Sequence, residues 1–423
     1  MLGYIFLILL VCFLYKSFYK ACVFIMTWSL VFMHVIVGKD FTLWNMSSLA
    51  AFIFFIHKLY VKDIRIGNFP FVKSYILLIL SFVLPGFSLK LGVLGGIIGM
   101  FLFPFVAWIA KDKIKNYWNF MFVNLTIFSI VIVSVGLLEL ALGYNPVSLY
   151  LESNNIMQFA EVREDYLRFG LYRCRSLTAW CSTYGVVCGF MMITLLFCMY
   201  YRRIQIPIFS YILCAFLFVG VLSTGTRSVY TAVVIGLIPL IMNYTTKLKY
   251  VILLFVIALF VYENNQELFN EIWDSFIHSD EAGGSDVNMR MSQYQAAYKY
   301  FEKSPLFGNG IGAVGEAMQK TAQLLGAESC IYIIMIDRGL FGFIAYGLFN
   351  IQIVLYLFSK KKYRALVFIP IAILTGKIIS AFIDINEVYP IFWLSILTKA
   401  IDDCLSECKG KRISINKLGL IKL

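Results

Sequence analysis

Charge is what this sequence has least of. Only 14% of its 423 residues are Asp, Glu, Lys or Arg, where globular chains carry about 25%. Hydrophobic residues make up 61% and mean hydropathy is +0.81, which excludes an ordinary soluble domain. Histidine is nearly absent: His34 and His57 lie in apolar runs and His278 in a polar stretch, with no pair at metal-ligand spacing. The ten cysteines contain no CxxC, so neither zinc nor an iron–sulfur cluster is expected, and no cofactor. Cys12, Cys22, Cys188, Cys198 and Cys214 sit in apolar runs, where cysteine is a small core residue. Whether Cys174 and Cys181, which share one polar stretch, pair with each other stays open. The first apolar run has neither a basic leader nor a small-residue cleavage site, so it is read as a helix rather than a removed signal.

Long hydrophobic runs, in contrast, are abundant. They fall near residues 2–15, 21–37, 43–57, 74–87, 91–110, 119–142, 184–200, 206–222, 228–243, 248–262, 339–358, 364–383 and 388–401. A bilayer core about 30 Å thick takes about 20 apolar residues per helix. The expected fold is therefore all-α: a polytopic membrane helix bundle of about 12–13 spans, forming one domain over residues 1–423.

The net charge of +12 does not point to nucleic acid, because the basic residues lie in short connections and not on one soluble face. Lys16/Lys20, Lys58/Lys62/Arg65/Lys73, Lys111/Lys113/Lys115, Arg202/Arg203, Lys247/Lys249, Lys360/Lys361/Lys362/Arg364 and Lys409/Lys411/Arg412 occupy every second connection. The positive-inside rule places these in the cytoplasm. Two long segments, 143–183 and 263–330, then fall on the other side, and loops of that length are commonly functional. In the second, Tyr294, Ala297, Tyr298 and Phe301 recur at helical spacing. With Asn288 as a start and Pro305 as a stop, they predict an amphipathic helix lying against the bundle.

Arginines on the outer side run against the topological bias. Arg163, Arg168, Arg173 and Arg175 lie in the first long loop, Arg227 in Ser223-Thr-Gly-Thr-Arg-Ser228, and Arg290 at the start of the amphipathic helix. A guanidinium suits two-point binding of phosphate, although membrane-flanking arginines also reach for lipid headgroups. Arg163 and Arg168 have Glu161, Glu164 and Asp165 beside them to pair with. Gly308, Gly310 and Gly312 lie in Pro305-Leu-Phe-Gly-Asn-Gly-Ile-Gly-Ala-Val-Gly315, after a helix and not a strand. That argues against a dinucleotide loop and for backbone that approaches closely or turns tightly. Glu328 stands where the second loop re-enters the bilayer, a place for a general base or for an acid favoured by a helix N-terminus. Asp337 and Arg338 are expected to project above the hydrocarbon. Lys377 and Asp384, in or near an apolar run, are candidates by position.

The order of these features resembles the bacterial O-antigen polymerase and ligase superfamily (Wzy-like) over roughly residues 170–360. The matching pieces are Arg173-Cys-Arg175 leading into Gly185, Leu222-Ser-Thr-Gly-Thr-Arg227, Arg290-x-x-x-Tyr294-x-x-Ala297 with Pro305 to Gly312, and Glu328-Ser-x-x-Tyr332 followed by Asp337-Arg-Gly339. The resemblance implies a metal-independent glycosyltransferase in the bacterial cytoplasmic (inner) membrane with a periplasmic site. Its substrate would be an oligosaccharide on undecaprenyl pyrophosphate, and its partners membrane lipids and a chain-length regulator protein. Arg227, Arg290 and Glu328 would be catalytic; Arg173, Arg175, Gly308, Gly310 and Gly312 would hold pyrophosphate or substrate. Ligase-type members usually carry His followed by Asn at re-entry. This chain has Glu328-Ser329, which favours a polymerase over a ligase. A flippase is the other alternative, but it would be expected to show internal repeats, and the sequence has none.

Overall fold

The computed structural model describes residues 2–38, 41–64, 69–85, 91–157, 167–168, 171–201, 207–244, 287–321, 324, 329–380 and 387–410. Over these the protein is all-α and carries helices fit to cross a membrane. Trp118–Leu142, Cys181–Tyr200, Cys330–Ser359 and Lys361–Ser380 are long and apolar enough to do so. Shorter apolar helices cover Gly3–Lys16, Phe18–Phe32, Val72–Val83, Ile208–Leu222 and Arg227–Leu240. Each apolar run of the sequence contributes a helix, except that at 248–262, which lies outside the described residues.

The N-terminal part comprises α1 (Leu2–Lys16), α2 (Phe18–Phe32), α3 (Leu43–Tyr60), α4 (Val72–Val83), α5 (Leu91–Ala110) and α6 (Trp118–Leu142). A short antiparallel pair, β1 (Ile36–Gly38) and β2 (Phe41–Thr42), joins α2 to α3. After α6 come the short α7 (Pro146–Ser153) and a second small pair, β3 (Leu167–Arg168) with β4 (Leu171–Tyr172). Asn145 caps α7 by accepting from Ser148 N at 2.9 Å, and Pro146 in its first turn needs no donor there.

The remaining helices are α8 (Cys181–Tyr200), α9 (Pro207–Leu222), α10 (Arg227–Tyr244), α11 (Val287–Phe301), α12 (Ala313–Lys320), α13 (Cys330–Ser359), α14 (Phe368–Ser380) and α15 (Pro390–Gly410). Helix α8 is buried almost throughout, packed against α9, α10 and α15. Small residues allow this close packing. A Cβ on Gly185 would meet Val229 and Thr224 at under 3.0 Å, and one on Gly189 would meet Val233. One hydrophobic core runs from Leu10 to Cys404.

Helix α11 forms where the amphipathic pattern predicts it, starting one residue before Asn288. Its packed face differs from the expectation. Gln293, Ala296 and Ala297 are the buried residues, joined by Tyr300 and set against Tyr332 and Ile336 of α13. Tyr294 and Tyr298 point away, each 44% exposed.

Candidate functional site

The first arginine segment is built on a buried acid. Glu139, in the last turns of α6, is fully buried. Its Oε2 accepts from Arg175 N (3.1 Å), Ser176 N (2.7 Å) and Asn145 Nδ2 (2.9 Å). Asn145 Nδ2 also donates to Ser176 O at 2.7 Å. Ser176 takes a left-handed φ of 54°, uncommon for a residue with a side chain. A carboxylate taking several N–H bonds fixes such a turn, since each charge-assisted bond outweighs a neutral one.

Within this turn the two arginines part. Arg175 is buried and donates from Nη2 to Ser148 Oγ at 3.1 Å. Arg173 is only partly buried and reaches the other way. Its Nε donates to Thr224 O at 3.2 Å and its Nη2 to Thr226 Oγ1 at 3.0 Å. Backbone bonding reinforces the junction, with Cys174 N donating to Ser223 O at 3.0 Å. Burial, followed by the negative charge of Glu139, pushes the Cys174 thiol up to about 12. Cys181 Sγ donates to Arg173 O at 3.2 Å, and no disulfide joins the two cysteines.

The structure thus joins Arg173 to Ser223-Thr-Gly-Thr-Arg227, more than forty residues later in sequence. That second segment is a tight link between α9 and α10. Gly225 holds φ at 57°, Thr224 Oγ1 bonds Val221 O at 2.7 Å, and Tyr230 OH bonds Leu222 O at 2.9 Å. Arg227 opens α10 and is partly exposed. Its positive charge adds to the positive end of the helix dipole, a combination that attracts anions.

Arg290 lies on α11, also partly exposed, and its carbonyl accepts from Tyr332 OH at 3.0 Å. The glycine run docks on the same stretch of α13. Gly308, Gly310 and Gly312 all have positive φ, of 77°, 104° and 89°. Asn309 N donates to Ile336 O (2.8 Å), Gly310 N to Asp337 O (3.1 Å) and Leu340 N to Pro305 O (2.8 Å). Gly339 breaks α13 at φ 59°, ψ −153°, a conformation essentially confined to glycine. A Cβ on Gly308 would sit 2.3 Å from Arg338 N. The close approach here is that of Gly308 to the helix break.

Asp337 completes the dock, its Oδ2 accepting from Gly312 N at 3.1 Å and its Oδ1 from Val314 N at 2.8 Å. Asp337 and Arg338 are both buried within the protein. Arg338 forms a two-point ion pair with Glu387, with Nη1 to Oε2 at 2.8 Å, and lies over the Phe82 ring. Glu139 and Glu387 carry no role in the sequence reading. The signal for Glu139 was available, since an acid inside an apolar run is a site candidate by default.

Glu328, Arg163, His278 and Asp384 lie outside the described residues, and of Arg168 only the backbone is described. Lys377 is buried in α14. Among the described residues no group of three His, Cys, Asp or Glu is placed to hold a metal ion.

Residues 212–347 match the family model described as O-antigen ligase. That stretch is similar to the O-antigen ligase family. No curated protein matches the chain. The matched stretch takes in Arg227, Arg290, the glycine run and the break at Gly339. Arg173 and Arg175 precede it, and Arg173 is hydrogen-bonded into it through Thr224 and Thr226.

Proposed function

We propose that this protein is a surface-polysaccharide (O-antigen) polymerase of the bacterial inner membrane, with its site on the periplasmic side. It transfers a growing glycan from undecaprenyl pyrophosphate to the non-reducing end of the next lipid-linked repeat unit. The observation that carries this reading is the bonding of Arg173 to the threonines beside Arg227. This bonding, which joins the two arginine segments, supports the reading, and the second of them lies in the stretch similar to the O-antigen ligase family.

In the reaction, a hydroxyl of the acceptor's terminal sugar attacks the donor's anomeric carbon. The new C–O bond forms as the bond to pyrophosphate breaks, with inversion at that carbon. The leaving group takes the electron pair, and its growing charge is what cations placed in advance stabilise. Arg173, Arg227 and Arg290 are assigned to it. Arg175, turned towards Ser148, braces the turn that presents Arg173. Glu328 takes the hydroxyl proton. Gly308, Gly310 and Gly312 act by holding the loop against α13, which supports Arg290. A polyprenyl diphosphate donor suits the outer face, where nucleotide sugars are absent, and the charge alternation of the connections supports that orientation.

The family description favours a second reading, a ligase that joins the finished glycan to an acceptor such as lipid A-core. Alanine and lysine substitutions at Arg227 and Arg290, read as surface-glycan length on a gel, separate the two. A polymerase defect leaves one capped repeat unit and no ladder, whereas a ligase defect removes all capped glycan. For Glu328, full polymerisation by the Gln variant would rule out a base.

A further inference from the structure

Helix α11 has three faces, each about a third of its circumference at 100° per residue. One carries Gln293, Ala296, Ala297 and Tyr300 and packs on Tyr332 and Ile336 of α13. A second is polar, with Gln295, Lys299 and Glu302 exposed. The third is apolar and bare. Met291, Tyr294 and Tyr298 are exposed, Phe301 follows them, and the rings contact in sequence at 6.4 Å and 6.0 Å between centroids. A row of exposed aromatics is costly in water and asks what covers it.

The neighbouring surface answers. Along α13, Tyr332 and Ile336 are covered by α11, and below the Gly339 break the row continues as Leu340, Ile344, Leu348, Ile351, Leu355 and Phe358. Those six are all exposed, at intervals of three and four residues on a helix apolar enough to span a bilayer, so this stripe faces lipid. It does not stop at the top of the span. Leu306 and Phe307 are exposed beside it, bonded through Pro305 O and Leu306 O to the N–H groups of Leu340 and Phe341, with the Phe307 ring 5.8 Å from that of Phe341. One apolar surface therefore passes from the span, over the docked loop, towards α11.

Depth agrees. From Leu340 to Ser359 is roughly 20 residues, about 30 Å of helix, which fills the hydrocarbon core. Tyr332 and Ile336, on which α11 rests, then stand at the headgroup layer. Tyrosine and methionine on one face beside lysines on the next is the composition of a helix lying in a membrane interface. Lys299 and Lys303 can extend their stems over the apolar boundary and leave their charges in the headgroups.

We infer that α11 is seated in the headgroup interface of the outer leaflet of the membrane that the helices span, with Met291, Tyr294, Tyr298 and Phe301 inserted at the headgroup–acyl boundary. The occupant of its bare face is the lipid surface, and not a further protein. The long loop is thereby pinned to the bilayer, and Arg290, on the same helix, is held at headgroup depth. This seating does not depend on the proposed reaction.

The test places a photoreactive benzoylphenylalanine, one position at a time, at residues 294, 298, 295 and 296 of the full chain. The chain is reconstituted in phosphatidylethanolamine–phosphatidylglycerol vesicles and, in parallel, left in native membranes. Adducts are read by mass spectrometry. Positions 294 and 298 should give lipid adducts several-fold above 295, while 296 should crosslink within the chain to the α13 region and so report that the helix is in place. Lipid adducts at 294 and 298 no higher than at 295 would overturn the inference. So would adducts there to another polypeptide in native membranes. Neither outcome bears on the arginine assignments, because no glycan is needed for the crosslink.

Discussion

Arg338 and Glu387 meet in a buried two-point ion pair at the point where the Cys330–Ser359 helix breaks. The pair ties the floor of the docked loop to the connection that leads into α15, with Ser81 of α4 at 3.5 Å from Nη1. Removing one partner strands the other charge. Glu387→Ala should cost about 3–5 kcal/mol, read as a lowered unfolding temperature in detergent. The double variant Arg338→Met, Glu387→Met should regain much of that loss. An undisturbed Glu387→Ala protein would show that the pair carries no stability.

The glycines of the loop should not be equivalent. Gly308 combines a left-handed φ with backbone atoms of Asp337 and Arg338 where a Cβ would go, whereas Gly312 has the φ but open space. Gly312→Ala should cost about 1–2 kcal/mol; Gly308→Ala should cost more, because a helix backbone cannot step aside. Thermal unfolding of the two variants gives the ranking, and equal effects would contradict the docking described.

Asp337 is fitted to accept two N–H bonds. In Asp337→Asn, the amide can supply only one acceptor oxygen and turns its NH2 towards the other N–H. The loop should loosen, seen as faster proteolysis within residues 305–315 and a shortened glycan ladder at normal membrane levels. Protection equal to that of the parent would count against this role.

Lys111, in the connection between α5 and α6, gives a pH dependence. Burial, opposed by the nearby Asp112 and Asp402, lowers its ammonium to about 8 from an ordinary 10.5, while Nζ rests 3.6 Å over the Trp108 ring. The folded state binds the proton less tightly than the unfolded one. Stability should therefore rise between about pH 8 and pH 10.5, by at most about 3 kcal/mol, and be flat in this contribution below pH 8. Lys111→Met should remove the rise, measured by thermal unfolding across that range.

Much of this was legible in the sequence because each signal was local. Apolar runs gave helices, and the small residues of Ser223-Thr-Gly-Thr before Arg227 mark the tight link between α9 and α10. What was not legible depends on distant partners. Nothing near Glu139 in sequence announces that it holds Arg175 and Ser176, or near Glu387 that it pairs with Arg338. Helix α11 shows a different limit. Periodicity placed Tyr294, Ala297, Tyr298 and Phe301 on one face, but of these Ala297 packs, beside Ala296, while Tyr294 and Tyr298 are exposed; small side chains that fit close to Tyr332 weigh little in a hydrophobicity pattern.

The Arg173 anchor allows a graded test. Thr226→Val removes the hydroxyl that receives Nη2 and keeps the side-chain volume. A shortened ladder is expected, less severe than that of Arg173→Ala. An unchanged ladder in both would show that the junction serves packing alone.

The most direct measurement is glycan length in Arg227→Ala and Arg227→Lys, expressed at parental membrane levels in cells lacking the parent protein. Arg227→Ala should give a single capped repeat unit with no ladder. Arg227→Lys, a point charge without the fork, should recover the ladder only partly. Parental ladders from both variants would contradict the assignment of Arg227 to the leaving group.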